Sequence, residues 1–478
     1  MKVYKILLFI LCVNLLLMLL CIFFPEKGVP FGERRLFFPT LEEIMYKEKH
    51  LTAKEKLEII EAGLRMQFVM DSTAKVEQMA FNDSLRFYTN FFNNHPARIY
   101  LPDDDYSFFG PLFYSLNNCI KNNELIHILH YGDSQIEADR ITGFIRQKFQ
   151  EQFGGKGPGL IPAIQPIPSS SVEQAASENM ERFTIAGNLV NEAGHNRYGI
   201  LGQTVAINGG GTITVATRNL KSTFENAKDF SKVRVFVSRN SQNFSASLQT
   251  GNNDPVTRTL PDEKSIPSTL YWEFKTPIRK FELYFSGNAE ISAIALDGNA
   301  GVTVDNIPLR GSSGTFFTSI DVNTFLPILK ELNVRLIILQ FGGNRMPSLK
   351  STKAIDEYTK SIAKQINHLY DIYPAAKILF IGPSDMSTMQ DGRLKTYPYL
   401  IEAVQGIKET VLENGAAFWN MFEVMGGENS MIEWVKNNPA WAASDYIHFT
   451  ERGAAKIAEM FCESLMIYYN YNQFTNNY

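Results

Sequence analysis

The chain has 478 residues, against a usual domain size of roughly 100–200, so two or three domains are expected. Hydrophobic residues make up 45% and charged residues 20%, enough apolar material for sizeable cores, which excludes a disordered or fibrous chain. The 46 Lys and Arg against 50 Asp and Glu leave a net charge of −4 with no basic block, which argues against a nucleic-acid partner. Of the four cysteines, Cys12 and Cys21 lie in an apolar N-terminal run, so a disulfide framework is excluded and no Cys/His spacing suggests structural zinc.

At the N-terminus, Lys2 and Lys5 precede an apolar run from Ile6 to Phe24 whose one polar residue is Asn14. At helical rise this run reaches roughly 28 Å, close to the hydrocarbon thickness of a bilayer. It is longer than a signal-peptide core and carries no small-x-small cleavage pattern. The expectation is an uncleaved transmembrane anchor over residues 1–25, with the body in the periplasm or otherwise outside the cytoplasm. A cleaved signal is the alternative.

Residues 26–106 read as a spacer and helical region. Thr52 and Glu55 form a capping box, and Leu57, Ile60, Leu64 and Phe68 follow at helical spacing. From residue 107 to 164 the pattern turns to alternating strand and helix, with an apolar run at 125–131 and a helix face of Ile136, Ile141, Phe144, Ile145 and Phe149. Between 165 and 300 no helical period is sustained. Short alternating runs at 212–217, 232–237, 281–285 and 291–296, split by Gly/Asn/Pro turns, predict an inserted antiparallel β-sandwich. Over 301–478 the α/β pattern resumes, with strands at 334–341, 377–381 and 416–419, each followed by a helix. A parallel sheet covered by helices, interrupted by the insert, is the expected fold.

Four short segments carry possible chemistry. His130-Tyr-Gly-Asp-Ser-Gln135 lies where a strand meets a helix, which puts Ser134 on a tight turn at the carboxyl edge of the sheet, where open α/β sheets bind ligands. Alone it reads equally well as a turn with an N-cap. Phe341-Gly-Gly-Asn-Arg345 follows the next apolar strand, and an Asn344 amide there can donate to a developing oxyanion, though a Gly/Asn turn is the bland reading. In Ser444-Asp-Tyr-Ile-His448, Asp445 and His448 are three positions apart, so in a turn the carboxylate can fix the imidazole tautomer and leave Nε2 to take a proton from a serine. Gly311, in Arg310-Gly-Ser-Ser-Gly314, offers an unobstructed backbone N–H. Asp385, also after a strand, competes as partner of the base, but the short spacing favours Asp445. Most aromatics of the insert (Tyr198, Phe236, Tyr271, Trp272, Phe274) read as core rather than as sugar-stacking platforms.

Taken in chain order (Ser134, Gly311, Asn344, then Asp445 to His448), the segments resemble the SGNH/GDSL hydrolase superfamily. Gly132-Asp133-Ser134 matches its first block, Gly311 its second, Gly342-Gly343-Asn344 its third, and Asp445 to His448 its last. The first block ends in Gln135 instead of leucine, and Arg345 stands where an acidic residue is often found. The resemblance implies a flavodoxin-like sheet and acyl transfer through Ser134, with His448 as base and Asp445 behind it. It also implies an oxyanion hole from Ser134, Gly311 and Asn344, and no metal or organic cofactor. With its inserted β-domain the chain looks like exported peptidoglycan or polysaccharide O-acetylesterases, in which the insert resembles a carbohydrate-binding module. The expected function is removal of acyl groups, acetyl first, from an acylated envelope glycan. Two alternatives remain: an O-acetyltransferase supplied by a membrane-bound O-acyltransferase, and a non-catalytic glycan-binding scaffold.

Overall fold

The computed structural model describes residues 51–476 apart from 74–76, 188–190, 220–223, 242 and 262–266, with scattered positions before residue 51, among them 29–31 and 34–36. One expectation is corrected here. Among the described residues no helix is long and apolar enough to cross a membrane, so the transmembrane anchor is not found. Most of the apolar run at 6–24 that suggested it lies outside the described residues.

Six strands build the central sheet: β1 (Ile99–Tyr100), β2 (Leu125–Gly132), β3 (Gly301–Pro308), β4 (Val334–Gln340), β5 (Lys377–Ile381) and β6 (Ala417–Trp419). They run in the order β3-β2-β4-β5-β6-β1. β2 to β6 are parallel, but β1 pairs antiparallel with β6, so the sheet is mixed and not wholly parallel. Beyond its first residue β2 is buried throughout, as a strand covered on both faces must be.

Helices supply that cover. α1 (Ala53–Thr73), α2 (Glu77–Asn94), α3 (Thr142–Phe153) and α7 (Glu451–Asn476) pack on one face, where Leu57, Phe91, Ile145 and Phe461 meet Ile128, Val304 and Ile338. α4 (Val322–Glu331), α5 (Thr352–Ile372) and α6 (Leu400–Glu413) cover the other, where Ile328, Ile362 and Ile407 meet Leu129 and Leu339. The helical region before residue 106 is therefore part of the α/β core. Its capping box is formed: Thr52 N–H donates to Glu55 Oε2 at 2.8 Å and Glu55 N–H to Thr52 Oγ1 at 3.1 Å. Leu57, Ile60 and Leu64 are buried, whereas the Phe68 side chain lies outside the described residues.

The insert is two antiparallel sheets closed on a shared apolar core. One includes Phe230–Asn240, Ser268–Ile278 and Ala289–Asp297; the other includes Gly210–Thr217, Ser245–Gln249 and Lys280–Ser286. Along Lys280–Ser286 the inward Phe281, Leu283 and Phe285 alternate with more exposed neighbours, which is the period-2 signal of a one-sided sheet. Ala289–Asp297 is buried almost throughout because it serves two cores. Ile291, Ile294 and Leu296 face the sandwich, while Ala293 and Ala295 pack with Phe236 against the α/β domain. Of the insert aromatics, Tyr198, Phe236 and Trp272 are buried and Tyr271 is exposed.

A chain of buried polar groups crosses this seam. The Arg234 guanidinium of the insert donates through Nη2 to Asp297 Oδ2 at 2.7 Å and contacts His127 Nε2 at 3.0 Å. His127 Nδ1 lies 2.7 Å from Asp305 Oδ2, and Asp305 Oδ1 accepts the Leu160 N–H at 2.7 Å. A buried charge stripped of its partner is strongly destabilising. Arg234→Met is therefore expected to lose about 3–5 kcal/mol in urea unfolding. Arg279→Met, which breaks an exposed pair with Asp229, is expected to leave the midpoint unchanged.

Candidate active site

β2 delivers the turn that carries Ser134. A Cβ at Gly132 would lie 2.9 Å from Ile136 Cδ1 and 3.2 Å from the Gln340 carbonyl, so glycine lets the strand end this close to β4 without displacing either. Asp133 then caps the helical turn Ser134–Asp139, its Oδ1 accepting the Gln135 N–H at 2.9 Å. Burial pushes the Asp133 carboxyl up to about 6, against the Gln135 N–H, the nearby His448 and the Asn344 amide, which favour its ionised form.

Asp445 folds the second turn. Its Oδ1 accepts the backbone N–H groups of Ile447 and His448, both at 3.0 Å, and its Oδ2 lies 2.7 Å from His448 Nδ1. Desolvation works against the charge, but the His448 N–H, the imidazole and the Ile447 N–H hold the carboxyl below its usual range. With Nδ1–H directed at this carboxylate, Nε2 is left as the acceptor, and Ser134 Oγ lies 2.8 Å from it. Ser134, His448 and Asp445 are thus in continuous hydrogen-bond contact. This arrangement can draw the hydroxyl proton toward the imidazole as Oγ attacks a carbonyl.

Two side chains that the motifs did not single out join these turns across more than 300 residues. Gln135 Nε2 donates to the Ile447 carbonyl at 2.7 Å, and Arg140 donates to the Ser134 carbonyl at 2.6 Å and to that of Phe449 at 3.3 Å. The glutamine in place of leucine after Gly-Asp-Ser was the available signal. A buried amide at that position reaches the histidine turn, which an aliphatic chain cannot hold by hydrogen bonding.

Gly311 and Asn344 line the same open cleft as Ser134 and His448, a space of about 670 Å³. Gly311 has φ +78°, a conformation that glycine adopts without strain. Asn344 is more tightly engaged than an oxyanion donor alone requires. Its Nδ2 donates to Asp133 Oδ2 at 2.9 Å and to the Ser312 carbonyl at 3.1 Å, so one of these bonds must yield before the amide can serve an oxyanion. Arg345 does not line the cleft; its guanidinium stands 5.6 Å over the Tyr358 ring. Asp385 is turned away from His448 and accepts from Thr396 Oγ1 at 2.8 Å and the Met431 N–H at 2.7 Å. Among the described residues no group of His, Cys, Asp and Glu is arranged to hold a metal ion.

No protein-family model matches the chain, and neither does any curated protein. A solved structure of a peptidoglycan O-acetylesterase is similar over 76% of this chain and 96% of its own, with 21% identity and a TM-score of 0.60. At that identity the likeness establishes the fold, and the resemblance read from the motifs is borne out at that level. A family two carbohydrate esterase from Cellvibrio japonicus aligns over 63% of this chain and 99% of its own at 10% identity, and a family 6 carbohydrate-binding module over 29% and 92% at 13%. Their TM-scores of 0.24 and 0.20 are too low to carry an argument.

The two aspartates separate experimentally. Asp445→Asn is expected to lower kcat on 4-nitrophenyl acetate by roughly 10⁴-fold, since the amide cannot hold the required tautomer. Asp385→Asn is expected to retain turnover and change the pH profile of stability instead. Burial raises the Asp385 carboxyl from 3.8 to about 6, so the native state binds a proton that the unfolded chain has released. Wild-type stability therefore falls relative to this variant as pH rises from 4 to 6, by up to about 3 kcal/mol in pH-dependent urea titrations. Gln135→Leu is expected to lower kcat at least about tenfold, because it removes the bond that holds the histidine turn against Ser134.

Proposed function

We propose that the protein is a serine esterase that removes acetyl groups from a cell-envelope glycan, with O-acetylated peptidoglycan as the first substrate to test. The observation that carries this reading is the contact of Ser134 Oγ with His448 Nε2 at 2.8 Å, backed by Asp445, on the wall of a cleft large enough for a sugar. The fold shared with a peptidoglycan O-acetylesterase supports the choice of acyl group and glycan. An extracytoplasmic location belongs to the same reading, since that is where such a glycan lies.

In this mechanism Ser134 Oγ attacks the acetyl carbonyl carbon while His448 Nε2 takes the hydroxyl proton. Asp445 stabilises the resulting imidazolium. The Ser134 and Gly311 N–H groups and the Asn344 amide receive the oxyanion, a contribution of roughly 3 kcal/mol per donor in comparable sites. Collapse breaks the bond to the sugar oxygen, which takes the proton from His448. Water then attacks the acetyl-enzyme with His448 again as base; the bond to Ser134 Oγ breaks, His448 returns the proton to Oγ, and acetate leaves. In the same proposal residues 107–164 and 301–478 form the hydrolase domain, completed by the helices and strand before residue 106, and the insert at 165–300 contributes to holding the glycan.

The test is acetate release from O-acetylated peptidoglycan by the purified protein and by Ser134→Ala. Release is expected from the wild type and is expected to fall at least about 10³-fold in the variant. Equal release from both would remove Ser134 as nucleophile. Acetyl groups appearing on an added chitooligosaccharide would move the protein to the transferases.

A further inference from the structure

Beside the catalytic cleft lies a second cavity, of about 70 Å³, that shares Glu137, Ala138, Ile167 and Arg310 with it. Leu160, Ile161 and Pro166 give it apolar walls at the seam between the α/β domain and the insert. Five charged side chains line it, three cationic and two anionic. The two carboxylates are already taken. Asp139 Oδ1 and Oδ2 are held by Arg146 at 2.9 and 2.7 Å, and Glu137 is held by Arg310 at 2.7 and 2.6 Å.

Arg182 is the cation left over. Its Nε donates to Gln203 Oε1 at 2.6 Å, which fixes the plane of the guanidinium and leaves the Nη groups for another acceptor. Among the described residues no carboxylate lies within ion-pair distance of it. The side chain is partly buried, and desolvation pulls its pKa below the usual arginine value. Such a charge is costly in a partly apolar site, and a bound anion would offset that cost.

We infer that this cavity binds a small carboxylate, held by the Arg182 guanidinium and packed against Leu160 and Ile161, next to an acyl group in the cleft. The space suits a carboxylate on a short carbon branch and is too small for a sugar ring. Under the esterase reading, on which the source of the ligand rests, the carboxylate is a substituent of the glycan that carries no peptide, as on an unsubstituted lactyl group; released acetate has the same chemistry.

The test is direct binding to the full-length protein, so it does not depend on turnover. N-acetylmuramic acid, N-acetylglucosamine (the same pyranose without the lactyl carboxylate) and acetate are titrated by ligand-observed NMR. They are titrated into the wild type, Arg182→Met and Arg182→Lys, with thermal midpoints recorded for each. The wild type is expected to bind the muramic acid about 10- to 100-fold more tightly than the glucosamine. Arg182→Met is expected to lose that preference and Arg182→Lys to keep part of it. Acetate bound in an Arg182-dependent way, with no preference between the sugars, would assign the site to the product. Equal binding of all three by the wild type and a folded Arg182→Met or Arg182→Lys would overturn the inference. Failure of Ser134-dependent acetate release would sink the esterase reading and leave this result standing.

Discussion

The pairing of β2 with β3 is the constraint on which the rest of the molecule depends. These strands are neighbours in the sheet, in register from Leu125 opposite Gly301 to Gly132 opposite Pro308, yet the entire β-insert separates them in sequence. Their common carboxyl edge puts the Ser134 turn and the Gly311 turn side by side. A slip of one residue would invert which side chains of β3 face each core. The buried chain Asp305–His127–Arg234–Asp297 opposes such a slip, because it joins both strands to the insert through bonds that form in one register only. Buried ion pairs add little net stability over a well-packed apolar alternative, so the value of this network is in alignment.

Alignment within the site follows a different principle. The Asp445 side chain is 47% exposed and that of His448 is 34% exposed, so burial does not hold the acid and base together. Local turn geometry does so instead, with two backbone N–H groups gripping one carboxylate oxygen and leaving the other for the imidazole. What that turn cannot supply is its position relative to Ser134. Gln135 and Arg140 provide this by reaching from the nucleophile turn to the carbonyls of Ile447 and Phe449. The site is two self-sufficient turns joined by a polar clamp.

This division explains what could be read from the sequence. The Thr52–Glu55 capping box, the Asp445-to-His448 spacing and the apolar strand at Val334–Gln340 were legible because each depends on residues close in sequence. The two-residue strand β1 was not, since Ile99–Tyr100 has no periodicity to detect and is a strand only by pairing with β6. The helices before residue 106 gave no sign that they complete the α/β core, because an amphipathic face does not name its partner. Apolar content alone predicted a membrane anchor that the described helices do not provide. Gln135 stood out in the sequence as a departure after Gly-Asp-Ser, but its partner, like those of Arg140 and Arg234, is set by tertiary structure.

The insert is more than an appendage to this arrangement. Ala293 and Ala295 bring its sheet onto the α/β core with side chains small enough for close contact, and Phe236 fills the space beside them. Ile167, at the start of the insert, lines the cleft that holds Ser134, and Arg182 and Gln203 line the cavity behind it. A domain joined by a shared core and a buried ion network cannot swing freely, so these walls are fixed with respect to Ser134. Under the proposed esterase function, selection among acylated glycans would rest on a preformed shape and charge rather than on closure around the substrate.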